Sequence, residues 1–256
     1  MELPEGCIAD ILCRTTPLDV ARISVISKIF SSAADSNTIW EHFLPSDYRS
    51  IISMSPSLAN APSKKAIYLA LSDHPIIIDQ GKKSFQLDRK SGKKCYMLAA
   101  RSLYISSGDD EHYCHWVTLP ESRFGEVAML KVASRSVICG KINTVDLSPN
   151  TQYASFLVFK LINAHGFHCK PMLLWINISG GPICSKAVCL DLRSKGRDNI
   201  FKFRNVRSDG LLEIEIGEFF NSGLEDGEVE MRVMMIKGNG SFYLEGIEVR
   251  PKILIT

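Results

Sequence analysis

The sequence of 256 residues has no apolar run near the roughly 18 residues that a membrane-spanning helix needs. Its N-terminus carries acids where a secretory leader carries lysine, and no long apolar core follows. Both absences lead to the expectation of a chain that stays in the cytosol or nucleus. No two of its eight cysteines (7, 13, 95, 114, 139, 169, 184 and 189) stand at Cys-x-x-Cys spacing, so they read as buried thiols of a reducing compartment. His112 and His115 flank Cys114, but zinc needs four ligands and no second Cys/His cluster supplies the rest. No metal and no cofactor is expected. Gly180-Gly181-Pro182 lacks the lysine and hydroxyl residue of a phosphate-binding loop. There is no Gly-x-Ser-x-Gly elbow, and no carboxylate pair stands beside an obvious nucleophile. A glycosidase would need a placed pair of acids, and none is evident. The expectation is a non-catalytic protein. A formal net charge of +2 proposes neither a nucleic-acid nor a membrane partner.

What the sequence does have is concentrated first in residues 1–45. Ile8, Ile11 and Leu12 recur at helical spacing after Pro4. Thr16-Pro17-Leu18-Asp19 restarts the chain, with Thr16 as cap, Pro17 at the first helical position and an acid at the third. That second helix is expected to carry Val20, Ile23 and Ser24 into Val25 and Ile26. A third begins near Asp35-Ser36-Asn37 and presents Ile39, Trp40, Phe43 and Leu44. Three helices of this size cannot bury all their apolar residues alone, which predicts a surface that docks on another protein. Three basic residues against six acids leave the stretch at −3, a sign that repels phosphate and argues against a DNA-binding helix-turn-helix.

Leu3-Pro4, Leu18-Asp19-Val20, Val25-Ile26-Ser27-Lys28 and Trp40 together resemble an F-box, in the right order across the whole stretch. The resemblance implies docking on a Skp-family adaptor and, through it, on a cullin-RING ubiquitin ligase. The adaptor-binding residues it implies are Leu3, Pro4, Ile8, Ile11, Leu12, Pro17, Leu18, Val25, Ser27 and Trp40, with Trp40, Leu18 and Pro17 as the main anchors.

Residues 46–84 read as a connector with one short helix near Ala66–Leu71 and a strand at Ile76–Ile78. From residue 85 to 256 strand signals recur between turn residues, as in an antiparallel β-sandwich. Thr151–Ile162 is apolar on both faces and is expected to be a central strand, as is Met172–Ile178. Leu212, Ile214 and Ile216 alternate with Glu213 and Glu215, a half-buried strand with its acids outward. The fold expected is multidomain, an α N-terminal module of three helices followed by an all-β domain.

The run Arg207-Ser208-Asp209-Gly210-Leu211-Leu212-Glu213-Ile214, continued by Gly217-Glu218-Phe219-Phe220-Asn221, resembles the phloem-protein-2 family, which includes the Nictaba-like lectins. Ala99-Ala100-Arg101-Ser102-Leu103, Tyr113 with Trp116, Tyr153–Lys160 and Gly246–Pro251 match the same family. An F-box fused to this domain is the arrangement of the plant F-box proteins of the PP2-B type. The resemblance implies a β-sandwich that binds N-acetylglucosamine oligomers or N-glycan cores, with Glu218 and Glu225 at the positions of two lectin acids. The other residues at the implied sugar site are Ser107, Cys114 and Trp116; family lectins carry tryptophans where Ser107 and Cys114 stand. A bland alternative has the two acids solvated beside buried Phe219 and Phe220. The function expected is a substrate receptor of a Skp–cullin–F-box ligase, with an unknown protein or glycoprotein target. The alternative is a cytosolic or nuclear lectin.

Overall fold

The computed structural model describes residues 5–53, 55–106, 108–132, 135–163, 172–179, 181, 183–188, 206–235 and 240–252. The chain divides into two compact units, 1–78 with 85–95 and 79–84 with 96–256. Strand β1 (Ile76–Ile78), expected from the sequence, is followed by β2 (Lys83–Leu87) and β3 (Lys94–Ala99).

The first unit is helical. Its N-terminal stretch holds four helices rather than three: α1 (Glu5–Leu12), α2 (Pro17–Ile23), α3 (Lys28–Ala34) and α4 (Asn37–Phe43). The capping box read at Thr16 and Asp19 is present, with Thr16 Oγ1 accepting Asp19 N at 3.2 Å and Pro17 in the first turn. The continuous helix expected through Ile26 breaks after Ile23. Ser24 Oγ turns back to Ala21 O at 2.8 Å, and Ser27 in extended conformation caps a new helix by accepting Phe30 N. Hydroxyl side chains that bond locally favour helix ends over interiors, and here they outweigh an apolar pattern that runs on without interruption.

Within the stretch 46–84, read as a connector with one short helix, residues 46–73 form α5 (Tyr48–Ser53), α6 (Pro56–Ala59) and α7 (Lys64–Asp73), the last containing the helix expected at Ala66–Leu71. Helix α7 seals the core. Tyr68 and Leu71 are buried, the Tyr68 hydroxyl donates to Asp88 O and Arg89 O at 3.2 and 3.3 Å, and Asn37 Oδ1 accepts Lys64 N at 2.8 Å.

The described residues of the second unit form two antiparallel sheets. In the larger, the long final strand β13 (Ser241–Pro251) pairs with β8 (Thr151–Asn163) along one side. Its other side takes β6 (Val127–Lys131) and β3. Strand β5 (Cys114–Val117) joins beyond β6, and β11 (Leu212–Asn221) beyond β8. Strand β8 is thus internal, as its two apolar faces predict. The smaller sheet runs β10 (Cys184–Val188), β9 (Met172–Ile178), β12 (Glu228–Met235), β7 (Ser136–Asn143), β4 (Tyr104–Ile105). The sheets meet closely. A Cβ on Gly140 of β7 would lie 3.0 Å from Ile247 Cδ1 of β13, and one on Gly217 of β11 would lie 2.5 Å from Ile176 Cγ2 of β9. A second apolar cluster, including Met97, Phe124, Phe156 and Leu211, is buried with the alternate residues of β8.

Candidate functional site

Helix α1 packs on α3 and α4, and α2 on α3, so the residues expected to meet an adaptor fall into two groups. Ile8, Leu12, Pro17 and Trp40 are buried within the unit. Trp40 is 3% exposed, its indole Nε1 donates to Ala34 O at 2.6 Å, and its ring meets Phe43 and Tyr68. These four side chains hold the unit together and present no surface. Leu18 is half-buried, and Ser27 is exposed but occupied as the α3 cap. Ile11 and Val25 are exposed. Leu3 and Pro4 lie outside the described residues. Ile26 and Ile29, which were not among the expected adaptor-binding residues, are exposed like Val25. Val25 and Ile26 form the turn between α2 and α3, 85% and 70% exposed. Two large β-branched side chains exposed at consecutive positions make the turn an apolar spot on the surface of the unit.

In the second unit the described residues of the implied sugar site do not come together. The loop that follows β4 starts at the Ser136 end of β7, where Ser106 Oγ accepts Val137 N at 2.9 Å. The Glu225 loop is tied to Thr144, beyond the Asn143 end of the same strand, with Thr144 Oγ1 donating to Glu225 O at 3.3 Å. Seven residue steps, from Val137 to Thr144, or roughly 23 Å at about 3.3 Å each, separate the two. Glu218 sits on β11, with β8, β13 and β6 between it and Cys114 and Trp116 on β5. Glu218 pairs with Lys252. Cys114 is 3% exposed and faces the core. Trp116 is half-buried under the Arg101 guanidinium, 3.6 Å from its ring centroid, and Arg101 is held by Glu126 through Nε and Nη2 at 3.0 and 2.7 Å. Ser107 lies outside the described residues. Phe219 is buried and stacks on Tyr153 at 5.6 Å, whereas Phe220, expected beside it in the core, is 55% exposed.

Of the eight cysteines, the six described are free thiols; Cys114 is buried, Cys13, Cys95 and Cys139 are half-buried, and Cys7 and Cys184 are exposed. The expectation of uniformly buried thiols is corrected on that point. Among the described residues no group of three or more His, Cys, Asp or Glu is placed to hold a metal ion. No helix among them is long and apolar enough to cross a membrane.

The charged cluster of the second unit was not foreseen. Glu213, read as an outward acid, is 7% exposed and takes Arg250 Nη2 at 2.6 Å and Arg207 Nη1 at 3.0 Å. Glu248, 6% exposed, takes Arg250 Nη1 at 2.7 Å and a short bond from Arg207. Burial by itself would raise the Glu248 carboxyl, but the hydrogen bond and charge of Arg207, aided by Arg250 and Arg123, hold it below the ordinary glutamate value. Nearby Glu245 goes the other way: burial raises it, against bonds from Arg123 N and Ser122 Oγ. The cluster fastens the 206–211 turn to β13. Every described member is satisfied within the fold, which fits a structural role.

A family model described as phloem protein 2 matches residues 93–251, and one described as F-box domain matches residues 1–42. Along its whole length the chain is similar to proteins of Arabidopsis thaliana. It is 40% identical to the putative F-box protein PP2-B12, over 100% of this chain and 99% of that protein. It is 39% identical to the F-box protein PP2-B10, over 98% and 94%, and 38% identical to the F-box protein VBF, over 98% and 99%. Solved structures are more remote. TmCBM61 in complex with beta-1,4-galactotriose superposes with a TM-score of 0.36 at 12% identity, covering 60% of this chain and 91% of that one. A family 35 carbohydrate binding module from Clostridium thermocellum gives 0.35 at 14%, over 60% and 96%. Likenesses of that size carry no ligand over to this chain.

Proposed function

The chain belongs to the phloem protein 2 family and carries an F-box, and on that premise we propose that it is a substrate-recognition subunit of a Skp–cullin–F-box ubiquitin ligase. The helical unit docks a Skp-family adaptor, and the β-sandwich holds a target within reach of the ligase. The ubiquitin-transfer chemistry is carried by other subunits; this chain supplies positions, not a nucleophile or a base.

The observation that carries this reading is the exposed Val25–Ile26 turn within the F-box, with Ile11 and Ile29 also left in water. The residues assigned to docking are the exposed Ile11, Val25, Ile26 and Ile29 with the half-buried Leu18, and the buried Ile8, Leu12, Pro17 and Trp40 hold together the unit that carries them. Anchors at the centre of an interface cost about 2 kcal/mol or more when removed, which is about 30-fold in affinity. Co-precipitation of a Skp adaptor by the native chain and by Val25→Ser/Ile26→Ser tests it. Loss of the adaptor from a folded double variant is expected; undiminished capture would overturn the assignment.

The lectin alternative gains no support. The aromatic face of Trp116 is taken by Arg101, Glu218 is engaged by Lys252, and Glu225 sits at the far end of β7 from the loop that begins at Ser106.

A further inference from the structure

Two loops at the Asn143 end of β7, residues 143–150 and 221–227, enclose a pocket of about 190 Å³. They are braced against each other. Asn221 Nδ2 donates to Thr144 O at 3.1 Å and to Ser148 O at 3.0 Å, and Gly227 N donates to Thr144 Oγ1 at 2.8 Å. Gly223, at φ +74°, lies so close to Pro149 that a Cβ would come within 2.4 Å of the proline Cβ. Both the left-handed backbone and the lack of room exclude a larger residue there. A rigid pocket of this kind loses little on binding, because its loops are already ordered.

The pocket's chemistry is selective. Val145 and Leu147 line it, and Val145 is 64% exposed; Leu224, in the same loop as Gly223 and Glu225, is 88% exposed. Glu225 and Asp226 line the mouth and are exposed, and neither carboxylate has a hydrogen-bond or ion-pair partner among the described residues. The acids on adjoining strands are matched, Glu218 by Lys252, Glu228 by Lys141 and Glu230 by Arg232. Among the described residues no cation and no aromatic ring lines the pocket, so it offers two uncompensated negative charges beside aliphatic surface and no face for a sugar ring.

We propose that this pocket docks an extended peptide segment of a bound protein in which a lysine or arginine is flanked by aliphatic side chains. The cation lies against Glu225 and Asp226, and the aliphatic neighbours cover Val145 and Leu224. The two acids repel phosphate and acidic segments, which sets the sign of the partner. The inference rests on the substrate-receptor reading and specifies what the sandwich would recognise.

The test uses the full-length chain, isotopically labelled, titrated with the peptides Gly-Leu-Arg-Leu-Gly and Gly-Leu-Glu-Leu-Gly and followed by its amide resonances. The arginine peptide should shift amides of 144–149 and 221–227 saturably, and the glutamate peptide should not. Glu225→Gln/Asp226→Asn should weaken the arginine peptide at least about fivefold and remove its salt dependence. Absence of saturable shifts there, equal shifts from both peptides, or indifference to the double variant overturns the proposal. So does chitotriose shifting the same amides at lower concentration, which would make the pocket a glycan site. Adaptor co-precipitation by the native chain and the double variant is read separately. Its failure with peptide binding intact would overturn the ligase reading and leave the pocket standing.

Discussion

The rings of Trp40 in α4 and Tyr68 in α7 lie 5.0 Å apart at 50°, both side chains almost wholly buried. The residue that most resembles an anchor of the F-box is therefore half of an internal aromatic pair, and its partner stands outside residues 1–45. Lys65 of α7 adds to the same contact, with Nζ 5.6 Å from the Trp40 ring centroid and 2.6 Å from Asp35. The helical unit is completed from downstream.

Removing Tyr68 should accordingly unfold the F-box. Truncation of a buried aromatic costs about 3–5 kcal/mol, so Tyr68→Ala is expected to lower the urea midpoint of the helical unit and to abolish adaptor capture. A fragment ending at Pro45 should show no cooperative thermal transition by circular dichroism. A sharp transition in that fragment would mean that α1 to α4 suffice.

Val25→Ser/Ile26→Ser and Trp40→Ala should separate binding from folding. The exposed pair should change stability by no more than about 0.5 kcal/mol per site, with adaptor affinity lost. Trp40→Ala should lose both, by about 3–5 kcal/mol in stability. Chemical denaturation beside a quantitative pull-down distinguishes them. Equal destabilisation by the two variants would contradict the assignment of surface and core.

The buried acids predict opposite pH behaviour. Glu248 is depressed in the folded state, so its contribution is fully present above the ordinary glutamate value of about 4.3 and is lost as the pH falls through the folded value. Glu248→Gln should cost about 3 kcal/mol or more at neutral pH, and its deficit should narrow below about pH 4.3. Glu245 is raised, so its contribution is greatest in acid and fades as the pH rises through its folded value. Glu245→Gln should gain on the native chain over that rise. Unfolding midpoints from pH 3 to pH 7 are the readout; parallel profiles for both variants would refute the assignment.

Chitotriose should produce neither calorimetric heat nor a change in tryptophan emission. Introducing tryptophan at Cys114 should not create a sugar platform, because that side chain is buried, on β5 opposite Leu130 of β6. Overpacking of this kind costs about 1–3 kcal/mol. A lowered melting temperature without sugar binding is expected for Cys114→Trp. Sugar binding by a stable variant would place the side chain at the surface.

The two-part organisation, the capping box at Thr16 and the central position of β8 were legible because they follow from local chemistry and from the two-residue period of a strand. The break at Ser24 was not, since the apolar spacing from Val20 to Ile26 continues smoothly and only the hydroxyl bonds of Ser24 and Ser27 interrupt it. Residues 46–73 looked like a connector for a related reason. The helical spacing of Ala66–Leu71 was legible, but α5 and α6 are short and rich in serine and proline, and what orders them is burial of Tyr48 and Ile51, which spacing alone does not reveal.

By itself the sequence determined which residue types were available and in what local conformations: the caps, the turns, the strand alternation, and the order of motifs that marks an F-box followed by a phloem protein 2 domain. Only the tertiary structure decided which apolar side chains face inward. Trp40 and Val25 are both apolar residues in or between helices, yet one is buried against Tyr68 and the other stands in water. Acids obey the same division. Glu213 was read as an outward strand acid and Glu225 as a lectin acid, but the first meets Arg207 and Arg250 brought in from other elements, and the second is exposed in a loop braced by Asn221 and Thr144. Burial and charge pairing depend on partners distant along the chain, and those partners are assigned only when the strands and helices pack.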